Sequence, residues 1–389
     1  MRTHSGAHRA PGGVRLIASR SETSRDPLRP AAPKGEISTR RVVVNDARIT
    51  SMRPLTHDTF EIIVRCAPDS PTIFARAGQF LTLKFPGVDK PRPYSLARAP
   101  EAERPGEHTF FIRLVPGGEV SGWLAAGDRT GERLEISGPL GAFGLDDSSA
   151  PMVCIAGGSG MSAIKAVIEH ACNRQAERDC IFFYGAREQR DLYCTEDIEA
   201  IRSRWHAAYR FQFVQVLSEE MAGTDWNGVR GLVTDHVKRA YLENGRIDPV
   251  HCKAYFCGPP PMIEAGTAVL KEFGVSEDDI FCDIFEDASS PAPVIDNVKC
   301  VLCDECLLVK PVADCIVEAS GFEVGPDGQV SGFDVFEPAR SSSLYYNALV
   351  IDEKACIRCY ACVSACPHDA IAPGNPPIAQ TLRQRSRPV

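Results

Sequence analysis

Met152-Val153-Cys154-Ile155-Ala156-Gly157-Gly158-Ser159-Gly160-Met161 is the stretch from which the architecture can be read outward. Five apolar residues make a short buried strand, four small ones make a tight turn, and Met161 opens a helical period that runs to Cys172. Glycines permit positive φ and close backbone approach, and a helix start directly after them favours a pyrophosphate group. The turn is not the G-x-G-x-x-G fingerprint. Downstream the strand-then-helix rhythm repeats three times, at 181–184 then 196–205, 211–217 then 233–242, and 254–257 then 262–273, with a closing strand at 280–285. Regular alternation of this kind predicts a parallel α/β sheet, here over residues 149–290.

Upstream the pattern differs. Short β-type runs at 42–49, 60–64, 80–85, 109–115 and 133–137 are separated by Pro and Gly turns, with no long helical period between them. Residues 41–148 therefore predict a small antiparallel barrel. Downstream, Ala288-Ser289-Ser290-Pro291-Ala292-Pro293-Val294 has the composition of a domain boundary, and a cysteine-dense segment, 291–373, follows it. The fold class is thus multidomain: an antiparallel β-barrel, an α/β parallel-sheet domain and a small α+β module.

The terminal stretches read as loose ends. Residues 1–40 mix Arg, Ser, Pro and Gly without a sustained apolar period, so they have little to bury against the entropy of ordering, and 374–389 form a second basic tail. The Arg-rich, acid-poor first segment also fits an organelle transit peptide, although no amphipathic helix emerges from it.

At 389 residues the chain is too long for one simple core. Residues 1–40 carry 8 basic and 3 acidic groups, and the last fifteen carry three Arg and no acid, so the overall charge of −8 leaves −16 on the body between them. Such an acidic body excludes nucleic acid as the main partner, since phosphate binding rests on clustered Lys and Arg. No apolar run approaches the roughly 20 residues of a membrane helix, so no membrane association is expected. Sixteen cysteines without a secretory signal argue for a cytoplasmic, metal-ligating chain rather than a disulfide-stapled one. Eight of them crowd between Cys300 and Cys366.

Two motif pairs resemble the ferredoxin-NADP reductase superfamily. The first is Arg92-Pro93-Tyr94-Ser95-Leu96 with Gly118-Glu119-Val120-Ser121, similar to that family's R-x-Y-S and G-x-x-S flavin motifs. The resemblance implies that Arg92 pairs with a flavin phosphate, a task suited to a guanidinium fork. It further implies that Tyr94 packs on the isoalloxazine, that Ser95 offers its hydroxyl near the reactive nitrogen, and that the amides around Gly118, Val120 and Ser121 receive phosphate. FAD is the expected flavin, with FMN open.

The second pair is the Gly157-Gly158-Ser159-Gly160-Met161 turn with Cys257-Gly258-Pro259-Pro260-Pro261-Met262 at the end of a later strand. By resemblance Cys257, Gly258, Pro259 and Met262 face the nicotinamide, Cys257 stands beside the hydride-transfer site together with Ser95, and Arg187 lies near the adenosine ribose. Arg187 and Arg190 could meet a 2′-phosphate or be ordinary surface charges, so NADH and NADPH both remain open.

Cys356, Cys359, Cys362 and Cys366, followed by Pro367, spell C-x2-C-x2-C-x3-C-P, the bacterial iron-sulfur ferredoxin signature. Structural zinc is the competing reading of such spacing. Cys300, Cys303 and Cys306 begin a second copy that departs at its fourth position, where Lys310 precedes Pro311. Lysine is not a usual soft ligand. The expected ligand sets are Cys300, Cys303, Cys306 and Cys366 for one [4Fe-4S] cluster, and Cys356, Cys359, Cys362 and Cys315 for the other. The stretch 322–336 reads as an inserted β-hairpin.

A nicotinamide gives two electrons as hydride while an iron-sulfur cube takes one, and a flavin can mediate between them. The order of parts resembles phthalate dioxygenase reductase, with the eight-cysteine module in place of that family's two-iron one. The resemblance implies an electron-transfer reductase serving the terminal component of a multicomponent oxygenase. The alternatives are an NAD(P)H-ferredoxin type reductase feeding an anaerobic reductase or a coenzyme A thioester epoxidase, and a non-enzymatic redox sensor. From Val294 to Gly374 there are 12 acids and 5 bases, so a partner with a basic docking face is expected.

Overall fold

The computed structural model describes residues 42–284, 290–296, 299–320, 323–324, 330–331, 334–335 and 348–374. The expected terminal tails, part of the linker and much of 322–336 lie outside these residues. Two compact units result, one comprising the barrel and the α/β layer together, the other the cysteine-rich module.

The barrel strands are β1 (Val43–Pro54), β2 (Thr59–Cys66), β3 (Phe80–Lys84), β4 (Arg92–Ser95), β5 (Glu107–Arg113) and β6 (Arg133–Leu140), with a short helix α1 (Glu119–Ala125) between the last two. Along β1, Asn45, Ala47 and Ile49 point inward while Val44, Asp46 and Arg48 are exposed, the alternation that fixes which face is buried. The sheet order is β4-β3-β6-β1-β2-β5, every pair antiparallel. An antiparallel bridge between Leu96 and Phe110 joins the two edges, so the barrel is nearly closed. Strand β4, which carries Arg92, Tyr94 and Ser95, is too short and too polar to signal itself by periodicity.

The α/β layer comprises β7 (Met152–Gly157), α2 (Met161–Asn173), β8 (Cys180–Ala186), α3 (Thr195–Arg204), β9 (Phe211–Leu217), β10 (Val229–Arg230), α4 (Val233–Val237), β11 (Lys253–Gly258), α5 (Pro260–Glu272) and β12 (Ile280–Ile284). The helix expected over 233–242 is not uniform: after Val237 it widens into a π-turn over Lys238–Leu242, which buries Tyr241 edge-on against Phe183 at 4.7 Å. The sheet order is β10-β9-β8-β7-β11-β12, all parallel. Strands after β7 run to one side and β11 and β12 to the other, so the order reverses between β7 and β11. Ligands of open α/β sheets bind beyond the strand ends at such a reversal.

Buried polar ties lock barrel and layer into one body. Glu169 on α2 accepts the Ala99 amide at 2.8 Å and faces the buried Lys165 ammonium at 3.8 Å. Arg178 donates to the Asp146 side chain and to its carbonyl, each at 2.7 Å, and Tyr255 donates to the same carboxylate at 2.6 Å. Apolar Ala97, Phe111 and Phe143 share a core with β7 and α2.

The second unit pairs β13 (Pro293–Ile295) with its last strand, β19 (Ile371–Pro373). Between them β14 (Ile316–Ser320) pairs with β17 (Asp334–Val335) and β18 (Ala348–Ile351), while β15 (Glu323–Val324) and β16 (Val330–Ser331) form an antiparallel pair within the expected hairpin. Helices α6 (Glu305–Leu308) and α7 (Ala361–Ala365) each follow a cysteine loop. Its core is Ile295, Ile316, Leu349 and Ile371 with Cys306 and Cys315, so thiols make up part of what it buries.

Candidate functional site

The two nucleotide-type turns meet at the sheet reversal. A Cβ on Gly160 would lie 2.0 Å from the Cys257 carbonyl oxygen, and Gly158 adopts φ +52°, so both positions need glycine for contact and for conformation. Tyr193, which the sequence did not single out, braces the turn by donating to the Gly158 carbonyl at 3.0 Å. The cleft beyond these strand ends is lined by Gly157, Gly158 and Ser159, by Arg187 and Ser218 further along the sheet, and by Pro259 and Met262 on the other side. Asp58 and Arg113 of the barrel complete its lip. Open backbone amides and a helix start beside it are the donor set a dinucleotide pyrophosphate requires.

Arg187 does not stand free at that lip. Its guanidinium faces Asp58 at 3.7 Å and Asp191 at 3.5 Å, and Arg190 faces Glu188 at 2.8 Å. Met161 is fully buried at the start of α2, directly after the turn.

On the barrel side, Arg92 is half-buried on β4 and donates from Nη2 to Glu119 at 2.9 Å. Gly118 precedes α1, Val120 is buried beneath it, and the Ser121 hydroxyl accepts the Val115 amide at 2.7 Å, which stiffens the loop. Burial pushes the Tyr94 phenol far above its ordinary range, so it stays neutral. A guanidinium, the amides at the start of α1 and a neutral aromatic fit a phosphate-bearing flavin.

Ser95 and Cys257 converge on a residue the sequence reading passed over. The Ser95 hydroxyl donates to Asp283 Oδ2 at 2.8 Å, and the Cys257 thiol approaches the same oxygen at 3.5 Å. Burial pushes the Asp283 carboxyl up to about 6, against the two hydrogen bonds that favour its charge. Burial, together with Asp283 beside it, raises the Cys257 thiol as well, so Cys257 is a neutral thiol and not a thiolate. The one available signal was an acid inside the apolar closing strand Ile280-Phe281-Cys282-Asp283-Ile284.

The cysteines gather into two groups. The charges of Cys303 and Cys366 bear on Cys300, and those of Cys300, Cys303 and Cys366 on Cys306. Likewise Cys356 bears on Cys315, both of these on Cys359, and all three on Cys362, which also feels Cys306 of the first group. Both loops share an unusual backbone: Leu302 and Asp304 in one, Arg358 and Tyr360 in the other, all take positive φ between 55° and 61°. Left-handed residues at matching positions turn successive amides inward, the concavity used for anionic iron-sulfur sites. The Arg358 amide donates to Cys356 Sγ at 3.4 Å and the Ala370 amide to Cys366 Sγ at 3.3 Å. Burial pushes the Cys306 thiol up to about 12 and Cys315 up to about 11, so ligation must displace their protons.

Fold and site together define a flavin- and nicotinamide-binding reductase that carries an iron-sulfur module. The chain matches the oxidoreductase FAD-binding domain over residues 46–144, the oxidoreductase NAD-binding domain over 154–267 and the 4Fe-4S binding domain over 349–372. It is 41% identical over 243 residues to the xylene/toluene monooxygenase electron transfer component XylA of Pseudomonas putida, covering 62% of this chain and 66% of that one. It is 32% identical over 251 residues to the propane 2-monooxygenase reductase component of Mycolicibacterium goodii, covering 63% and 69%. Among solved structures, the ferredoxin reductase in carbazole 1,9a-dioxygenase aligns with TM-score 0.55 and 31% identity, covering 63% of this chain and 70% of that one. The chain belongs to the ferredoxin reductase family of FAD- and NAD-binding oxidoreductases that includes these oxygenase reductase components. Its matches to XylA and to two further reductase components span 61% to 66% of their lengths, just short of two thirds. No helix among the described residues is long and apolar enough to cross a membrane.

Proposed function

We propose that this chain draws electrons from NADH and passes them through FAD and two [4Fe-4S] clusters to the terminal component of a multicomponent oxygenase. The observation that carries the reading is the convergence of Ser95, from the flavin motif, and Cys257, from the nicotinamide turn, on the partly buried Asp283. The relatives' own names support the oxygenase as acceptor. When bound, a flavin takes a hydride and releases electrons one at a time to clusters that hold one each.

The chain's own groups would do the rest. The 157–160 turn would hold the pyrophosphate, and Pro259 and Met262 line the cleft on the other side of the sheet reversal. Cys257, neutral and fully buried, would offer a thiol rather than a charge on the nicotinamide side of the site. The Ser95 hydroxyl is held in one orientation by Asp283, so its oxygen lone pairs point away from that acid. Arg92 would exchange Glu119 for a flavin phosphate. NADH is favoured over NADPH because Arg187, at the lip of the cleft, faces two carboxylates, Asp58 and Asp191, whereas Arg92 has the single Glu119 to exchange. The ligand sets are Cys300, Cys303, Cys306 and Cys366 for one cluster, and Cys315, Cys356, Cys359 and Cys362 for the other.

Anaerobic stopped-flow mixing with NADH and with NADPH tests this directly. Flavin absorbance should bleach first and cluster absorbance next, within catalytic times and faster with NADH. Cluster absorbance that stays unchanged while the flavin bleaches would refute the wire. Transfer to the oxygenase should slow as salt rises, because the module's −7 charge asks for a basic docking face.

A further inference from the structure

The segment from Cys300 to Pro311 keeps the cysteine spacing of the segment from Cys356 to Pro367 except at the fourth ligand, where Lys310 stands in place of cysteine. The lysine side chain is half-buried and does not trail into solvent. Its Nζ donates to the Ile316 carbonyl at 3.1 Å, and Ile316 directly follows Cys315. The ammonium is thus fixed beside the chain segment that presents Cys315, the thiol that supplies the missing ligand. No carboxylate of the described residues forms an ion pair with Lys310. Lys310 bears on the Glu318 carboxyl, which burial pushes towards its neutral form.

A second cation belongs to the same cysteine group but is differently placed. Arg358 lies inside the Cys356–Cys359 loop, with Nη1 on the Cys356 carbonyl at 2.8 Å and Nη2 facing the Glu353 carboxylate at 3.4 Å. That charge has a counter-ion. The other loop contains acids instead, Asp304 and Glu305 between Cys303 and Cys306.

We propose that Lys310 selectively raises the reduction potential of the cluster held by Cys315, Cys356, Cys359 and Cys362, so that the two clusters have unequal potentials. Reduction adds one electron, supplied from NADH through the flavin, and no protein bond forms or breaks. A fixed, partly buried cation stabilises the more negative reduced state over the oxidised one, and more strongly than it would in water. The effect is local because the ammonium is tied to one carbonyl. Unequal potentials give the module a direction: the cluster beside Lys310 fills first, and the other fills only when more electrons arrive.

This inference rests on the two-cluster ligation proposed above, and its test separates the two. The full chain is purified anaerobically as wild type, Lys310→Gln and Lys310→Arg, iron is counted, and each protein is titrated electrochemically with EPR detection of the reduced clusters. Wild type should hold about eight irons. In Lys310→Gln the reduction equilibrium constant of one cluster should fall about tenfold, which is 59 mV for one electron, while the other cluster stays within about twofold. Lys310→Arg should behave as wild type. Equal shifts in both clusters, no shift in either, or the same shift in both variants would overturn the tuning role. So would loss of about four irons from Lys310→Gln alone, because Lys310 would then be holding the loop together. Only about four irons in wild type would instead sink the ligation itself.

Discussion

Replacing Asp283 by Asn should change how the stability of the reductase body depends on pH. The carboxyl moves from 3.8 to about 6 on folding because it is desolvated between Ser95 and Cys257. A folded pKa above the unfolded one means that the folded state binds the proton more tightly. The resulting stabilisation is fully present below the unfolded value and is lost as pH rises through the folded one. A shift of about two units corresponds to about 3 kcal/mol at acid pH, of which about 1.4 kcal/mol disappears between pH 5 and pH 8. Asparagine has nothing to titrate there and still offers Ser95 an acceptor oxygen.

The gap between wild type and Asp283→Asn, with wild type the more stable at low pH, should therefore narrow or reverse by about that amount on going from pH 5 to pH 8. Urea unfolding followed by tryptophan fluorescence measures it cleanly, because Trp123, Trp205 and Trp226 all lie in the barrel and α/β unit. A difference between the two proteins that stays constant from pH 5 to pH 8 would refute the assignment of a raised pKa to this residue.

Three more outcomes are expected. Glu169→Ala strands the buried Lys165 ammonium and the Ala99 amide, so it should destabilise this unit by about 3 to 5 kcal/mol, and adding Lys165→Met should recover part of the loss. The denaturation midpoints of the single and double variants check this, and a harmless Glu169→Ala would mean the pair is not desolvated. Gly160→Ala pushes a methyl against the Cys257 carbonyl, so NADH affinity measured by fluorescence titration should weaken by more than tenfold, whereas Gly122→Ala, where a Cβ meets open space, should leave it unchanged. Cys315→Ser should lower the iron content from about eight to about four per chain, and an unchanged count would exclude Cys315 as a ligand.

Element type was legible in the sequence wherever period and length agreed. The alternation along β1 and the apolar core of β7 followed by the Met161 helix period are local patterns, and the folded chain keeps them. Strand β4 and the π-turn after Val237 were not legible. The first is held by pairing with β3, and the second by the packing of Tyr241 on Phe183; neither cause lies in its own segment.

By itself the sequence determined the class of chemistry: a flavin motif, two nucleotide turns and a cysteine spacing are each short, contiguous and dictated by local geometry. Tertiary structure alone decided which groups meet. Ser95 and Asp283 are 188 residues apart, yet they share a hydrogen bond because the barrel packs against the end of β12. Asp58 reaches Arg187 from a barrel loop, and Cys315 joins the Cys356 loop through the β14–β18 pairing. Spacing encodes what one loop can wrap, whereas the partners of a buried charge are set by how separate elements pack, and no local pattern records that.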